Sequence, residues 1–175
     1  MNPTLNKEMF MNYKNLPSVI FDIDGTLADI EHRRIFVSGK KKDFNAFNEA
    51  MANDVINVPI VELHTMCHRA GYQIIYCTGR MERDRDVTLE FLKMVHEEGG
   101  IIERESFWTF SPDLIMRPDE RRSDPDWVVK QDMLNKILEI VDKENIIFTV
   151  DDRQKVVDMW RANGLTCLQV AEGNF

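Results

Sequence analysis

Cysteine is scarce in this 175-residue chain: Cys67, Cys77 and Cys167 stand far apart and form no CxxC pair. No apolar run approaches the roughly 18–20 residues that a membrane-spanning helix needs. The first residues, MNPTLNKEMFMNYKN, contain no apolar signal core. Unpaired thiols without an export signal are typical of a reducing compartment. We therefore expect a cytoplasmic protein with no membrane partner.

Positive charge is also in short supply, because 22 Lys and Arg face 30 Asp and Glu and the formal net charge is −8. A protein that follows nucleic acid over a long stretch is usually basic. The chain also lacks internal repeats and low-complexity linkers. These absences predict one globular domain that touches a polyanion only locally or binds a small anionic substrate.

Short apolar runs alternate with amphipathic helical patterns along the chain. This alternation predicts an α/β fold with a parallel sheet between two layers of helices, a Rossmann-like arrangement. We predict strands at 19–21, 73–77, 114–116, 146–150 and 166–170. One predicted helix covers residues 83–97, and another has Asp124 as its N-cap and Pro125 in its first turn. The strands are uniformly apolar, which fits a sheet covered on both faces.

The stretch from Ile30 to Asn57 interrupts this alternation directly after the first strand. It contains a Ser-Gly pair, three lysines and an aromatic-rich segment, residues 44–51. Loops at the carboxyl ends of strands commonly carry function. We therefore predict a leader at 1–17, a core domain at 18–29 and 58–175, and a small inserted cap at 30–57.

The motif Asp22-Ile23-Asp24-Gly25-Thr26-Leu27 directly follows the first strand. Both carboxylates are then expected at the carboxyl edge of the sheet, where open α/β sheets bind ligands. Adjacent carboxylates repel each other, so the site needs a cation or a shared proton. A bare DxD pattern is typical of a solvated turn, whereas DxDGTL after a strand is far more specific. Asp22 and Asp24 are the predicted catalytic pair.

Three further groups of residues fit a phosphate site. Thr78 and Gly79, after the second strand, offer a hydroxyl and backbone N–H groups for phosphoryl oxygens, and Arg80 offers a two-pronged donor. Lys130 lies four residues after Asp126, so the two share a helix face. That pair could be an exposed ion pair. We favour a catalytic role instead, because a carboxylate cluster needs cations nearby: Lys130 is predicted to offset the charge of Asp22 and the phosphoryl group, and Asp126 to orient Lys130 or an arginine.

Asp151 and Asp152 end the fourth apolar strand. Paired acids at a strand end suit Mg²⁺, which prefers oxygen ligands and usually keeps several waters. We expect Asp152 to bind the metal directly. Asp151 is expected to contact it through a water molecule or to support the residues that bind it, although the two aspartates could exchange these roles. Up to five aspartates, at 22, 24, 126, 151 and 152, are expected to converge.

These motifs resemble those of the haloacid dehalogenase (HAD) superfamily, whose first motif reads hhhDxDGTL. The resemblance implies that Asp22 attacks phosphorus to form an aspartyl-phosphate. It implies that Asp24 protonates the leaving oxygen and then activates water, with a pKa raised by the neighbouring carboxylates. It also implies Mg²⁺ held by Asp22, the Asp24 carbonyl and one of Asp151 and Asp152.

Within that superfamily the chain looks like the 3′-phosphatase domains of T-even bacteriophage polynucleotide kinase/phosphatases. The strongest similarity lies in FDIDGTLA, GYQIIYCTGR, DWVVKQDML and VDDRQKVVDMWRANGLTCLQVAEGNF. The resemblance implies a nucleic acid repair enzyme in which Arg33 and Arg80 contact the phosphate or the nucleic-acid end. The sequence has no GxxxxGK[ST] motif, so we expect a stand-alone phosphatase with no kinase domain.

The expected activity is hydrolysis of 3′-phosphates on DNA or RNA ends, or of 3′-nucleotides. A 5′-nucleotidase or small-metabolite phosphatase of the same fold is the first alternative, and a catalytically silent module that binds nucleic-acid ends is the second. Arg117, Arg121 and Arg122 form either a solvated basic loop or a rim that guides DNA toward the site, together with Arg33, Arg34 and Lys40–Lys42.

Overall fold

A computed structural model describes residues 14–101 and 112–172 of the chain. Within these ranges the main sheet has five strands in the order β5-β4-β1-β6-β7, and every neighbouring pair is parallel. The strands are β1 (Ser18–Phe21), β2 (Ala28–Asp29), β3 (Val55–Ile56), β4 (Gln73–Met81), β5 (Asp113–Arg117), β6 (Ile146–Asp151) and β7 (Cys167–Gln169). The predicted five-stranded parallel sheet is confirmed.

Helices cover both faces of this sheet. They are α1 (Glu31–Ser38), α2 (Phe44–Glu49), α3 (Val58–Arg69), α4 (Arg85–Glu98), α5 (Asp126–Ile140) and α6 (Gln154–Ala162). Successive residues of β1 point to opposite faces. Phe21 packs with Leu92 of α4 on one face, and Ile20 packs with Val129 of α5 and Trp160 of α6 on the other. The predicted three-layer α/β/α architecture is therefore confirmed.

Each fully buried side chain of this kind contributes roughly 1.5–3 kcal/mol to folding, so the two cores hold the sheet edge in place.

Residues 30–57, predicted to form a cap, contain α1, α2 and a short 3-10 helix at Ala50–Asn53. Strands β2 and β3 pair antiparallel where this segment leaves and rejoins the core. Asp43 caps α2 by accepting hydrogen bonds from the N–H groups of Asn45 and Ala46.

Two predicted helix starts are wrong. Helix α5 begins at Asp126, and Pro125 occupies the N-cap position with a non-helical backbone, φ −56° and ψ 139°. Asp124 is not the cap, because the first helical N–H groups, of Val128 and Val129, donate to the Pro125 carbonyl, and the Asp124 carboxylate accepts a hydrogen bond from Arg121. Helix α4 begins at Arg85 rather than Arg83, since Glu82–Asp84 forms a 3-10 helix.

Across residues 14–101 and 112–172, no helix is both long enough and apolar enough to cross a membrane.

Candidate active site at the carboxyl edge of the sheet

Asp22, Asp151 and Asp152 meet at the carboxyl ends of β1 and β6. These strands are neighbours with Phe21 opposite Val150, and the Asp22 N–H donates to the Val150 carbonyl at 3.0 Å. Each of the three aspartates offers a carboxylate oxygen that lies within 4.8 Å of the other two. Parallel pairing therefore brings acids that are about 130 residues apart in sequence to one point.

Lys130 from α5 neutralises part of this aspartate trio. Its Nζ donates to Asp22 Oδ1 at 2.6 Å and to Asp151 Oδ2 at 2.8 Å. Only 1% of the Lys130 side chain is exposed. Burial alone would lower the pKa of Lys130, but the charges of Asp151, Asp22 and Asp126 raise it well above its ordinary value. Lys130 is therefore a buried ammonium ion and does not form an exposed ion pair with Asp126.

Asp151 and Asp152 differ in how their oxygens are used. Asp151 Oδ2 also lies 3.3 Å from Trp160 Nε1, and its Oδ1 accepts from the Arg153 N–H at 3.1 Å. Asp152 Oδ1 is buried, and no hydrogen-bond donor reaches it in the described part of the chain. Burial first and then the charge of Asp151 raise the pKa of Asp152 to about 7. Asp152 thus presents an open oxygen, whereas Asp151 is already engaged.

This open oxygen fits a cation. Burial and the charges of Asp151 and Asp152 raise the pKa of Asp22 well above its ordinary value, even though Lys130 opposes them. A divalent ion bound to Asp22 and Asp152 would relieve that repulsion and would match the hard oxygen donors that Mg²⁺ prefers. Gly25 has φ +84°, and a Cβ there would collide with the Asp152 carboxylate. The absence of a side chain at Gly25 therefore leaves space for the Asp152 carboxylate.

Asp24 points away from the aspartate trio and toward two arginines. Its Oδ1 accepts from Arg33 Nη2 at 2.7 Å and from Arg80 Nε and Nη2 at 2.8 and 2.6 Å. Burial alone would raise the pKa of Asp24, but Arg80 and Arg33 outweigh burial and lower it. The expectation that neighbouring carboxylates raise this pKa is therefore wrong for this arrangement. Any metal contact from Asp24 would come from its backbone carbonyl, as the resemblance implied.

Asp54 is the second carboxylate that holds these arginines, and the sequence reasoning missed it. It accepts from Arg33 Nε and Nη2, both at 2.6 Å, and from Arg80 Nη2 at 2.7 Å. The Arg33 side chain is 0% exposed and does not line the pocket. In this structure Arg33 thus positions Asp24 and does not reach the space open to a ligand, contrary to the predicted direct contact. Arg80 does line that space.

The Asp54 cluster predicts a measurable stability effect. Asp54→Asn removes one of the two carboxylates that pair with buried Arg33 and Arg80, and Asp24 remains, so we expect the free energy of unfolding to fall by about 1–3 kcal/mol. Urea unfolding followed by circular dichroism measures it. Asp158→Asn is the matched control: Asp158 is exposed, and its carboxylate accepts from Gln154 on the same helix. That change should stay within about 0.5 kcal/mol, and an equally small change for Asp54→Asn would contradict the cluster's role.

The second motif and Asp126 form the opposite side of the site. Asp126 Oδ1 accepts from Arg117 Nη2 at 2.8 Å and its Oδ2 accepts from Arg153 Nη1 at 3.2 Å. Asp126 therefore orients arginines and makes no hydrogen bond to Lys130. Burial alone would raise its pKa, but Lys130, Arg153 and Arg117 lower it. A Cβ on Gly79 would lie 2.6 Å from Asp126 Oδ1, so a larger residue there would displace the Asp126 carboxylate from its arginines.

Thr78 and Arg117 occupy positions other than those expected. The Thr78 hydroxyl is buried and accepts from the Arg80 N–H at 3.2 Å. It lies beneath the pocket and is not among its lining residues. Arg117, predicted to lie on a solvated loop or a rim, is 8% exposed. It donates to the backbone carbonyls of Gly79, Arg121 and Asp124 as well as to Asp126, so it is part of the scaffold.

A pocket of about 550 Å³ opens over this edge. Asp22, Asp24, Gly79, Arg80 and Asp126 lie on its core side. Residues of the 30–57 segment and of the loop before α5 form its other walls. Lys130, Asp151 and Asp152 lie behind Asp22 and are not among the lining residues. The five predicted aspartates therefore do not form one cluster. Asp22, Asp151 and Asp152 lie together around Lys130, whereas Asp24 pairs with Arg33 and Arg80 and Asp126 pairs with Arg117 and Arg153.

The sheet order, the paired acids at two strand ends and the buried lysine define a phosphatase of the HAD class. A family model for the polynucleotide kinase PNKP phosphatase domain matches residues 17–175. The chain belongs to this family. The predicted superfamily and the predicted resemblance to a polynucleotide kinase/phosphatase are confirmed.

Solved structures agree with this placement. The chain is similar to a chain of the Pnkp1/Rnl/Hen1 RNA repair complex, with 28% identity and a TM-score of 0.66 over 91% of this chain and 44% of that one. A second Pnkp1/Rnl/Hen1 structure matches with 28% identity and a TM-score of 0.65, over 91% and 48%. The chain thus spans less than half the length of these relatives.

A class C acid phosphatase from Bacillus anthracis, solved with tungstate bound, shares the fold. Its identity to this chain is 14%, and the TM-score is 0.60 over 98% of this chain and 73% of that one. At this level of identity the match extends to architecture alone. It is consistent with the sheet order and helix layers described above.

Proposed function

We propose that this protein is a Mg²⁺-dependent phosphomonoesterase that removes 3′-phosphates from DNA or RNA ends, or from 3′-nucleotides, through an aspartyl-phosphate intermediate. The observation that carries the proposal is the setting of Asp22. This carboxylate faces a pocket, is held by a buried Lys130 and lies beside the open oxygen of Asp152. A carboxylate held in this way is suited to attack an electrophile in the pocket.

The first step transfers the phosphoryl group to the protein. An Asp22 oxygen forms a bond to phosphorus as the bond from phosphorus to the 3′-oxygen breaks, and Asp24 gives its proton to that leaving oxygen. In the second step a water attacks phosphorus, Asp24 takes a proton from that water, and the bond to Asp22 breaks. The products are a 3′-hydroxyl and inorganic phosphate, and both aspartates return to their starting states.

Asp24 needs a proton for the first step, yet Arg33 and Arg80 keep its pKa low in the absence of substrate. The Nη1 atoms of Arg33 and Arg80 are buried and have no hydrogen-bond acceptor among the described residues. A phosphate dianion beside Arg80 would compete with Asp24 for this guanidinium and would loosen its hold on the carboxylate. Substrate binding would then bring the pKa of Asp24 closer to the range in which it can donate a proton.

Mg²⁺ would be held by Asp22, Asp152 and the backbone carbonyl of Asp24, with Asp151 behind them. The bound ion would offset negative charge where an anionic carboxylate meets an anionic phosphate. Lys130 assists by pairing with both Asp22 and Asp151. Backbone N–H groups near Gly79 and the Arg80 guanidinium are the proposed donors to phosphoryl oxygens, and Asp126 keeps Arg117 and Arg153 around them.

Three considerations support a nucleic-acid substrate. The family is defined by the phosphatase domain of a polynucleotide kinase, and two similar chains belong to an RNA repair complex. The pocket is far larger than a phosphoryl group requires.

We propose that residues 18–29 and 58–175 form the core domain and that residues 30–57 act as a cap that shapes the substrate's path. A leader at 1–17 precedes them, and residues 1–13 of it lie outside the described ranges.

We further propose a reducing cytoplasmic location, which is the host cytoplasm if the chain is viral. The three cysteines are free thiols, and all of them are buried. Burial raises the pKa of Cys67, Cys77 and Cys167, so each remains protonated and poorly reactive at neutral pH.

The proposal predicts a preference that phosphate release can measure. With Mg²⁺, a 3′-phosphorylated oligonucleotide should be hydrolysed at least about tenfold faster than the same oligonucleotide carrying a 5′-phosphate. The rate at limiting substrate should fall with added salt, because we expect positive residues of the pocket wall, such as Lys42 and Arg122, to contact the backbone phosphates. 3′- and 5′-mononucleotides complete the comparison.

Each other outcome identifies an alternative. Equal or faster release from 5′-monophosphates or small phosphorylated metabolites would favour a 5′-nucleotidase or metabolite phosphatase. Binding of oligonucleotide ends without phosphate release from any substrate would favour a catalytically silent module. Wild-type protein treated with EDTA serves as the blank for metal-independent release.

A further inference from the structure

Phe44 is an exposed aromatic side chain on the wall of the pocket. It opens helix α2 in the 30–57 segment, and 52% of it is accessible to solvent. It lines the same cavity as Asp22 and Asp24. Large apolar side chains are usually buried in a stable core, so an aromatic ring left open beside a catalytic carboxylate is a candidate contact for a ligand.

Phe47, the other aromatic residue that lines this pocket within the described ranges, is already engaged. The guanidinium carbon of Arg33 lies 4.3 Å from the centroid of its ring, and Phe47 is partly buried against the core. Phe44 belongs to neither of the two core clusters found among residues 14–101 and 112–172. Its ring is therefore the aromatic surface that the pocket leaves open for stacking.

Two cationic residues that line the pocket lie near Phe44. The Nζ of Lys42 is 6.0 Å from the centroid of the Phe44 ring. Arg122 donates from Nη2 to Oδ1 of Asn45, the residue after Phe44, at 2.7 Å, and both Arg122 and Asn45 are exposed. This contact links the loop before α5 to α2 next to Phe44. An open ring flanked by positive charge is the combination that binds single-stranded nucleic acid, through base stacking and phosphate contacts.

We infer that Phe44 stacks on the nucleobase of the terminal nucleotide while Lys42 and Arg122 contact the adjacent backbone phosphate. The inference rests on the proposed function, because it assigns the remainder of that substrate to the mouth of the same pocket. The 550 Å³ volume accommodates a nucleoside beside the phosphoryl group. Phe44 is then a specificity-determining residue that distinguishes nucleotides from small phosphorylated metabolites.

The test compares variants on two oligonucleotides that differ only in the terminal base and on one small phosphomonoester. The substrates are a 3′-phosphorylated oligonucleotide with its terminal base, the same oligonucleotide with an abasic terminal sugar, and β-glycerophosphate. Phe44→Ala should lower kcat/KM on the base-bearing substrate by about tenfold to a hundredfold. The preference of the enzyme for the base-bearing over the abasic substrate should fall by a similar factor, and Phe44→Trp should restore it.

Phe36→Ala is the matched control. Phe36 is an exposed phenylalanine of α1 in the same segment, but it does not line the pocket. This variant should keep wild-type kcat/KM on all three substrates. An equal loss for Phe44→Ala on all three substrates would reduce Phe44 to a structural role, and no loss on the base-bearing substrate would overturn the inference.

The failure of the inference and the failure of the proposed function give different results. If wild-type protein prefers 5′-phosphates but Phe44→Ala still selectively weakens base-bearing substrates, the proposed 3′-specificity fails while the stacking site stands. Fluorescence anisotropy with the same oligonucleotides supplies a readout that does not depend on turnover. Binding that is equally tight with and without the terminal base in wild-type protein would also overturn the inference.

Discussion

Asp22→Asn should reduce phosphate release by on the order of a thousandfold or more. The amide is a poor nucleophile, so the step that bonds the protein to phosphorus is lost even if the substrate still binds. The same substitution should leave the fold intact, because Lys130 keeps Asp151 as a partner and a buried carboxylate with a raised pKa is removed. Phosphate release and a thermal melt on the same preparation measure both effects.

The comparison with Asp24→Asn separates the two catalytic aspartates. That variant keeps the nucleophile and loses the proton donor, so it should retain slow turnover on a substrate whose leaving group needs no proton, such as p-nitrophenyl phosphate. Asp22→Asn should fail on that substrate as well. Near-normal turnover by folded Asp22→Asn on any substrate would remove Asp22 from the reaction, and the aspartyl-phosphate pathway with it.

Chelation of divalent cations should abolish turnover, and Mg²⁺ should raise the melting temperature. The trio of Asp22, Asp151 and Asp152 repels itself when ionised, and a bound cation relieves that repulsion. At about 100 times its dissociation constant a ligand of the native state adds about 2.7 kcal/mol, or roughly 5–10 °C for a domain of this size. Differential scanning fluorimetry across a Mg²⁺ titration measures the shift.

Asp152→Asn is the diagnostic variant for this ion. It replaces one carboxylate oxygen with an NH₂ group and removes one negative charge, so the metal-free protein should melt at the same temperature as the wild type or higher. It should gain little from Mg²⁺ and should have lost activity. Asp158→Asn, on the exposed face of α6, should keep both the Mg²⁺-induced stabilisation and the activity. Full activity of the wild type in excess EDTA would refute the metal dependence.

The fold could be predicted because its determinants are local and repeated. Each strand of the main sheet is a short apolar run, and each predicted helix between the strands carries a buried stripe such as Val129, Met133 and Ile137. The positions of Asp22 and Asp152 followed from one rule, that the carboxyl ends of parallel strands share an edge. The third predicted strand, at 114–116, is short, and it forms as Asp113–Arg117.

The pairings inside the site were beyond the reach of the sequence. Asp54 follows a 3-10 helix and has no motif around it, and its partners lie 21 and 26 residues away. No signal in the sequence pointed to Asp54, because Arg33 and Arg80 were predicted to contact the phosphate or the nucleic-acid end. Nothing local showed that Arg33 would be buried instead of facing the substrate, because burial was decided by how the 30–57 segment folds back onto β4.

The ends of that segment carry a consequence for how this enzyme can be altered. Ala28 and Asp29 pair directly with Ile56 and Val55, so the insertion enters and leaves the core through adjacent backbone. An insertion closed in this way can be replaced or resized with little strain on the sheet, as a cassette. Two positions of the inserted segment are nevertheless constrained, because Arg33 and Asp54 pair with each other beside Arg80. Replacing either residue alone would remove a partner from a buried charge. Chimeras that carry both together are the ones expected to fold while acquiring a new choice of substrate.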